Sequence, residues 1–449
     1  MAELRLREFG LLVQGVRNDD DLDVCGIESE QAWAFFEGLA FSDDKDDRFI
    51  DTARFEGRKA LRVKNFVGVI CAPDGTQVEI LPKTSEGRQD ARATRATLWK
   101  MLQAVENLRF LETTEAELNL RSMPLIESLI AIFLGHVSAL VRRGIRRDYE
   151  RVSDEERFLR GRLRVAQQLR MSPGRQHLFC IDYDLFSENR AENRLVHAAL
   201  VKVARTSRTD SNQRLARELR HGFEAVPLST DYQADFQKWR TGREMAHYQP
   251  LLAWVRLILN QQCPSSLKDV RAGISLLFGM EQLFEKYVAH VLERDLAPHR
   301  VAVHTQSRSI YLSDQPRAFQ LKPDLVLSRG GERLSVLDTK WKLIDRRTTY
   351  DDGTPNPKAG ISQADMYQMF AYGHKYLGGA GRLALVYPAW SGFTAPLTPF
   401  RLGEQLWLEV IPFDLATDAI PAIDGLHRLP GPLHAASTAP STESSAPCP

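Results

Sequence analysis

A C-terminal α/β domain with a mixed sheet flanked by helices, preceded by a β-rich N-terminal region and a mainly helical middle region, is the architecture the sequence predicts. Three observations point to it. Short apolar runs separated by turn residues fill the first 110 residues, apolar residues at helical spacing dominate from about Thr94 to Gln262, and beyond Gly279 the two patterns alternate. At 449 residues the chain has room for two or three domains, each burying its own core. A hydrophobic content of 43% with 26% charged residues excludes disordered and membrane classes. The net charge of +1 excludes nucleic-acid binding through bulk charge and leaves local basic surfaces open.

In the N-terminal region, residues 1–110, Phe66–Ile70 and Gln77–Leu81 flank Ala72-Pro73-Asp74-Gly75, where the Asp-Gly step supplies the positive φ of a tight hairpin. The middle region, 111–275, holds the most apolar run, Leu125–Val141. Glu127 and His136 interrupt it, so it reads as a buried helix and not as a membrane span of about 20 uninterrupted apolar residues. Arg142–Arg175 then carries eleven arginines, no lysine and five acids. One reading is a solvated helical face with ion pairs to Asp154, Glu155 and Glu156. The other is bidentate recognition of phosphate or carboxylate at an interface, to which planar guanidinium groups are suited. Arg160 and Arg162, on either side of Gly161, are the leading candidates for reaching a partner, because glycine lets backbone approach closely. His177–Phe186 reads as a strand; Asn189–Arg205, Ser211–Ala225 and roughly Pro250–Gln262 read as helices. The last domain is placed at 276–428. The tail Leu429–Pro449, rich in Ala, Ser, Thr and Pro and almost uncharged, is expected to be disordered.

Several classes of chemistry are missing. The five cysteines are scattered and never spaced as CxxC, which disfavours a disulfide framework or a zinc site and fits a reducing cytoplasm. The opening MAELRLREFG lacks the apolar core of a signal peptide, and no segment calls for a membrane. No GxxxxGK[ST], HExxH or GxSxG occurs. The chain is therefore expected to bind no nucleotide itself, and any nucleotide-driven step belongs to a partner.

The informative segment is Lys322–Lys342. Two apolar runs, Leu325–Leu327 and Leu334–Leu337, flank the turn Arg329–Arg333 and predict a β-hairpin. With Ser328 and Leu334 as the closing pair, counting outward sets Asp324 opposite Asp338. Facing residues in an antiparallel pair have Cβ atoms about 4.5–5.5 Å apart, so one hard cation can bridge both carboxylates. Lys340 follows on the same face, roughly 7 Å along the strand. Facing like charges destabilise a sheet unless a cation turns the repulsion into binding. A lysine beside that cation can stabilise charge developing on a phosphate, which suits phosphodiester hydrolysis. The plain alternative is a surface hairpin with charged residues. Asp338 argues against it, because it follows Ser-Val-Leu in a strand that reads as buried, and a buried carboxylate needs a partner.

Two helices fit around the hairpin. Met280–Leu292 has a clean apolar stripe with Glu281 and Glu285 at its edge, either within reach of the site or simply solvated. In Ser362–Leu377, Asp365, Gln368 and Tyr372 share a face, with Met369, Phe370, Tyr376 and Leu377 placed elsewhere; Ser362 and Asp365 also match a capping box. Gln368 and Tyr372 suit a backbone phosphate or a water; Lys322 and Lys342 are further DNA-contact candidates.

Pro323-Asp324…Asp338-Thr-Lys340 resembles the PD-(D/E)XK nuclease signature, and Gln368-xxx-Tyr372 resembles the QxxxY motif some of those nucleases add. Val78-Glu-Ile-Leu-Pro-Lys83, Leu159-Arg-Gly-Arg-Leu163, Asn193-Arg194, Leu283-Phe-Glu-Lys-Tyr-Val288, Asp365-Met-Tyr-Gln-Met369 and Tyr387-Pro388 together resemble the McrC family, the nuclease subunits of McrBC-type modification-dependent restriction systems. The resemblance runs from about residue 66 to 390. It implies a PD-(D/E)XK fold at 276–428, Asp324, Asp338 and Lys340 as the catalytic set, Glu285 and Gln368 as accessory residues, and Mg²⁺ at Asp324 and Asp338, with Mn²⁺ as a substitute. It also implies modified double-stranded DNA as substrate and an AAA+ GTPase partner of the McrB kind, activated through the N-terminal part. The first 60 residues match nothing in that pattern; their acidic runs Asn18–Asp23 and Asp43–Asp47 are a candidate partner surface. Two other readings stay open: a non-catalytic adaptor that activates the GTPase, and a stand-alone DNA nuclease. Intact facing carboxylates argue against the first, near-neutral charge against the second.

Overall fold

Strands and helices follow one another closely from the N-terminus. In chain order they are β1 (Leu4–Arg7), β2 (Leu11–Gln14), β3 (Val24–Ile27), α1 (Glu30–Ala40), β4 (Ile50–Phe55), β5 (Arg58–Val63), β6 (Phe66–Cys71), β7 (Gln77–Leu81), α2 (Ala91–Val105) and α3 (Leu125–Arg143). Next come β8 (Asp148–Glu156), β9 (Arg162–Leu163), α4 (Val165–Gln168), β10 (Phe179–Ser187), α5 (Ala191–Thr206), α6 (Asp210–His221), α7 (Tyr232–Lys238), α8 (Gln249–Asn260) and β11 (Leu276–Gly279). The rest is α9 (Met280–Leu296), β12 (Ala302–Thr305), β13 (Ile310–Asp314), β14 (Arg317–Leu321), β15 (Leu325–Arg329), β16 (Glu332–Thr339), α10 (Gln363–Leu377), β17 (Ala380–Pro388), β18 (Phe400–Arg401) and β19 (Gln405–Phe413). This computed structural model describes residues 4–16, 21–41, 49–84, 91–105, 123–260, 276–307, 310–349, 354 and 356–421. The expected disorder of 429–449 lies outside them, as does the acidic run 43–47.

The chain divides into two compact units, Met1–Leu283 and Phe284–Pro449. The first holds two four-stranded sheets, ordered β1-β7-β6-β11 and β3-β2-β5-β4. Their buried side chains, among them Ile50, Leu61, Ile70 and Ile80, pack together with Phe49 and with Trp33 and Phe36 of α1, whose first turn is capped by the Ser29 side chain accepting from Ala32 N. The β6–β7 hairpin forms where the Asp-Gly step predicted it: Gly75 has φ +90° and Asp74 accepts from Thr76 N at 2.8 Å. Of the first acidic run, Asp23 is held by Arg7. β11 hydrogen-bonds to β6, so residues 276–279 belong to the first unit and the boundary lies past them, in the first turns of α9.

Helix α3 is long and apolar enough for a membrane span by length and composition alone, but 67% of its most apolar window is buried inside the fold. Glu127, 2% exposed, is hydrogen-bonded by Ser207 Oγ at 2.7 Å and Asn212 Nδ2 at 2.8 Å, which explains a carboxylate in that apolar run. The arginine-dense stretch is not a helical face. Past α3 it turns at Gly144 (φ +91°) into β8, which pairs with β10 over nine residues, Asp148↔Ser187 to Glu156↔Phe179. The expected ion pairs form on this strand framework, Arg160 with Glu156 and Arg175 with Glu155, and cross-strand bonds join them, Ser153 Oγ and Arg151 Nη2 donating to Asp182 at 2.6 and 3.0 Å.

The second unit is built on a six-stranded mixed sheet ordered β12-β15-β16-β17-β19-β18, with β16/β17 and β17/β19 parallel and the other pairs antiparallel. Val336, Leu383, Leu385, Leu408 and Val410 of the sheet share a core with Met369, Tyr372 and Tyr376 of α10. The near-continuous apolar reading of β17 and β19 follows from burial on both faces.

Candidate active site

The β15–β16 turn is made by Gly330 and Gly331, with φ of +58° and +88°. Leu325↔Leu337, Val326↔Val336 and Leu327↔Ser335 pair as the sequence count required, so the register carried one step outward sets Asp324 opposite Asp338. The closing pair differs. Ser328 pairs with Arg333, and an irregularity between Leu327 and Ser328 absorbs the extra residue.

Asp338 is the most enclosed group of the cluster, its side chain 1% exposed. Its Oδ2 lies 2.5 Å from Lys340 Nζ, in direct ion-pair contact with the ammonium. Gln368 Nε2 donates to its Oδ1 at 3.3 Å. Burial, and then the nearby Asp324 charge, push the Asp338 carboxyl up to about 7, while Lys340 pulls it down. Burial works against the charge of Lys340, but Asp338, with Asp324 and Asp365 behind it, outweighs that and raises its pKa. Lys340 stays an ammonium.

Asp324 is held from the main chain and from a hydroxyl: Thr339 N and Oγ1 donate to its Oδ2 at 2.7 and 2.8 Å. Its carbonyl accepts from Gln306 N at 2.8 Å. On α9, Glu285 accepts from Gln306 Nε2 at 3.2 Å, and burial followed by the Asp324 charge raises its pKa. Glu281 is exposed and apart from this network.

Helix α10 supplies the remaining side. Its capping box is formed, with Asp365 N donating to Ser362 Oγ at 3.1 Å and Ser362 N to Asp365 Oδ2 at 3.3 Å. One turn later Gln368 joins three groups: besides Asp338, its Nε2 donates to the Tyr372 hydroxyl at 2.8 Å, and its Oε1 accepts from Lys340 Nζ at 3.4 Å. Tyr372 was expected apart from Met369 and Tyr376, yet all three are buried in one core; i, i+3 and i+7 make a single stripe, and Phe370 is the one left 45% exposed. Burial holds the Tyr372 phenol at about 12, so it stays protonated.

The structure thus brings together Asp324, Asp338, Lys340, Gln368, Tyr372 and Glu285. It leaves Lys322 and Lys342 exposed and outside the network, Lys342 Nζ donating to Gly360 O at 2.6 Å. Thr339 and Gln306 were missed. Strand alternation alone would assign Thr339 to the other face, but its hydroxyl, which reaches Asp324 past the end of β15, was a usable signal inside the Asp-Thr-Lys motif. Gln306 had none, since the pairing of β12 with β15 is not readable from their sequences. Arg160 is engaged locally: it pairs with Glu156 and lies over the Tyr183 ring, 3.7 Å from the centroid. Arg162 is exposed on β9. Gly161 between them (φ +72°) is required, because a Cβ there would sit 2.3 Å from Asp182 O.

Among the described residues no three His, Cys, Asp or Glu side chains are grouped to hold a metal. A pair fits one cation nonetheless: Mg²⁺ is commonly held by one or two carboxylates, with waters and substrate phosphate oxygens completing its shell. Facing carboxylates that repel one another, one of them buried, are what such an ion would satisfy.

Fold and site together define a mixed α/β chain carrying two facing carboxylates and a half-buried lysine at one end of a central hairpin. The family described as "McrBC 5-methylcytosine restriction system component" matches residues 61–388, and the chain belongs to that family. No curated protein matches it. Among solved structures, a chain of the half-complex from a tetradecameric assembly of Thermococcus gammatolerans McrB AAA+ hexamers with bound McrC aligns with a TM-score of 0.64 at 20% identity, covering 93% of this chain and 96% of that one. A chain of the Thermococcus gammatolerans McrBC complex aligns with a TM-score of 0.48 at 20% identity, covering 66% and 88%. The first likeness spans nearly the whole of both chains and shows a shared fold.

Proposed function

We propose that this chain is the Mg²⁺-dependent DNA endonuclease subunit of a modification-dependent restriction complex, docked on an AAA+ GTPase whose hydrolysis it stimulates. The second unit would be a PD-(D/E)XK domain, and Mn²⁺ would substitute for Mg²⁺. The observation that carries the reading is the Asp338–Lys340–Gln368 network beside Asp324: a nuclease needs facing carboxylates held next to a cation, and an adaptor has no use for them. The family match, and a similarly folded chain from an assembly of McrB hexamers with bound McrC, support the restriction setting.

Asp324 and Asp338 would hold the ion, Asp324 kept in place by Thr339 and Asp338 by Gln368. When bound, the ion supplies positive charge to the phosphodiester oxygens. Lys340, charged and fixed by Asp338, would place its Nζ toward the same phosphate and stabilise the charge that builds as a water oxygen bonds to phosphorus and the ester oxygen departs. Gln368 and Tyr372 keep Asp338 and Lys340 in position.

The test is cleavage of methylated duplex DNA by the full chain with its AAA+ partner, GTP and Mg²⁺. Asp324→Ala and Asp338→Ala should bring cleavage to background with partner binding intact, and Lys340→Ala should lose cleavage while still binding the metal. Normal cutting by Asp338→Ala would refute the assignment.

A further inference from the structure

Where α3 ends and β8 begins, the first unit contains an open cavity of about 500 Å³ lined by Arg143, Arg146, Arg147, Phe186 and His247 with the intervening Gly144–Ile145 backbone. Gly144, at φ +91° and ψ 132°, turns the chain out of the helix so that Arg143 on its last turn and Arg146 beyond it border the same space. The backbone is pinned on the other side. Arg146 N donates to the Tyr248 hydroxyl at 2.8 Å and Arg146 O accepts from Asn193 Nδ2 at 2.8 Å. Asn193, fully buried, also accepts from Tyr248 at 2.6 Å. The rim is therefore rigid while its guanidinium groups are exposed.

Among the described residues the charge is incompletely neutralised. Glu188 accepts from Arg147 Nε at 2.7 Å, which accounts for one of the three arginines. Burial, and then the charges of Arg143 and Arg146, hold the His247 imidazole below its ordinary pKa, as expected beside clustered positive charge. Complementing the carbonyl end of α3 explains Arg143 in part, but that effect fades within the last turn and leaves Arg146 unexplained.

We propose that this cavity binds phosphate groups of the DNA backbone, at a site separate from the candidate active site. Guanidinium forks match phosphate oxygens bidentately, and one feature favours a nucleic acid over an acidic protein surface: Phe186 lines the cavity, backed by Tyr149 with ring centroids 5.0 Å apart, giving an aromatic platform on which a base or sugar can lie. The proposal does not depend on the second unit being a nuclease.

The experiment is fluorescence anisotropy of a labelled 12-mer duplex with the full chain, without divalent ions, across a salt series. Arg143→Ala and Arg146→Ala should each weaken binding several-fold and lower the slope of log affinity against log salt by about 1, the value for one lost phosphate contact. Arg170→Ala, an equal charge change at an exposed arginine outside the cavity, should alter neither. Unchanged affinity and slope in both cavity variants would overturn the proposal, as would an equal loss in Arg170→Ala, which would mean bulk attraction. Titration with inorganic phosphate separates the sources: saturable binding of phosphate alone, abolished by Arg146→Ala with the duplex unaffected, would replace DNA by a free phosphate ligand. Loss of AAA+ partner binding without loss of DNA binding would instead assign the cavity to a protein interface and likewise overturn it.

Discussion

Gln368 is the side chain on which the candidate site closes. Its amide nitrogen is shared between Asp338 and Tyr372, and its oxygen faces Lys340, so one residue orients the carboxylate, the ammonium and the phenol. Groups that orient metal ligands are typically worth 10–100-fold in metal affinity or activity. Gln368→Ala should therefore lower cleavage by about that factor and move the Mg²⁺ requirement to higher concentration. Tyr372→Phe, which removes only a hydroxyl from a buried ring, should have a milder effect and leave the Mg²⁺ midpoint close to wild type. Cleavage rates measured against Mg²⁺ concentration separate the two; an unchanged midpoint in Gln368→Ala would remove that residue from the site. Asp324, Asp338 and Lys340 could be found from the sequence because strand alternation fixes which residues share a face. Thr339 escaped because alternation would send it to the opposite face, yet Asp324 lies beyond the end of β15, where both the main-chain N–H and the hydroxyl of Thr339 reach it.

Helix α10 can hold Gln368 there only because it lies close to its sheet. An ideal Cβ on Gly373 would sit 2.5 Å from Leu406 Cδ2 and 3.0 Å from Leu383 Cδ1, both leucines fully buried. Gly373→Ala gains about 0.5–1 kcal/mol of helix preference, but overpacking a core costs about 1–3 kcal/mol, and the overlap should win. The expected result is a melting temperature lowered by several degrees, with reduced cleavage as α10 is displaced. A raised melting temperature would mean the leucines have room to turn aside. Helices α3, α5, α6, α8, α9 and α10 were legible at this scale because they are strongly periodic, as were the β6–β7 and β15–β16 hairpins through their glycines, whereas α1 within the β-rich region and the glycine-free β13–β14 hairpin were not. Sheet order was not: β17 and β19 pair in parallel with other elements between them, and nothing in either segment names its neighbour. The arginine-dense stretch also misled, because the β8–β10 ladder draws its pairing from Phe179–Ser187, residues outside the stretch itself.

For the whole molecule, the division at Leu283/Phe284 places the candidate active site in the second unit and the arginine-rich β8–β10 sheet in the first. If the first unit activates the GTPase and the second cuts DNA, single substitutions in the full chain should uncouple the two. Asp338→Asn keeps the shape of the side chain and should abolish cleavage while GTP turnover by the partner stays stimulated. Arg160→Ala and Arg162→Ala should do the reverse if a guanidinium reaches the partner's site, where such a group is worth roughly 10³–10⁵ in rate. The local duties of Arg160 are small by comparison. It pairs with Glu156 at the surface and lies over Tyr183, a contact worth about 0.5–1 kcal/mol at an exposed position. A large loss of stimulation with an unchanged melting temperature could not come from that contact and would mark a direct role. Arg162 is the cleaner probe, since it is exposed on a two-residue strand whose backbone pairing an alanine preserves. Steady-state GTP turnover and DNA cleavage, measured on the same three preparations, decide the matter. Full stimulation by both arginine variants would move activation to other residues of the first unit. Loss of stimulation in Asp338→Asn would show that the active site and the partner are coupled, and the division of labour between the two units would fall.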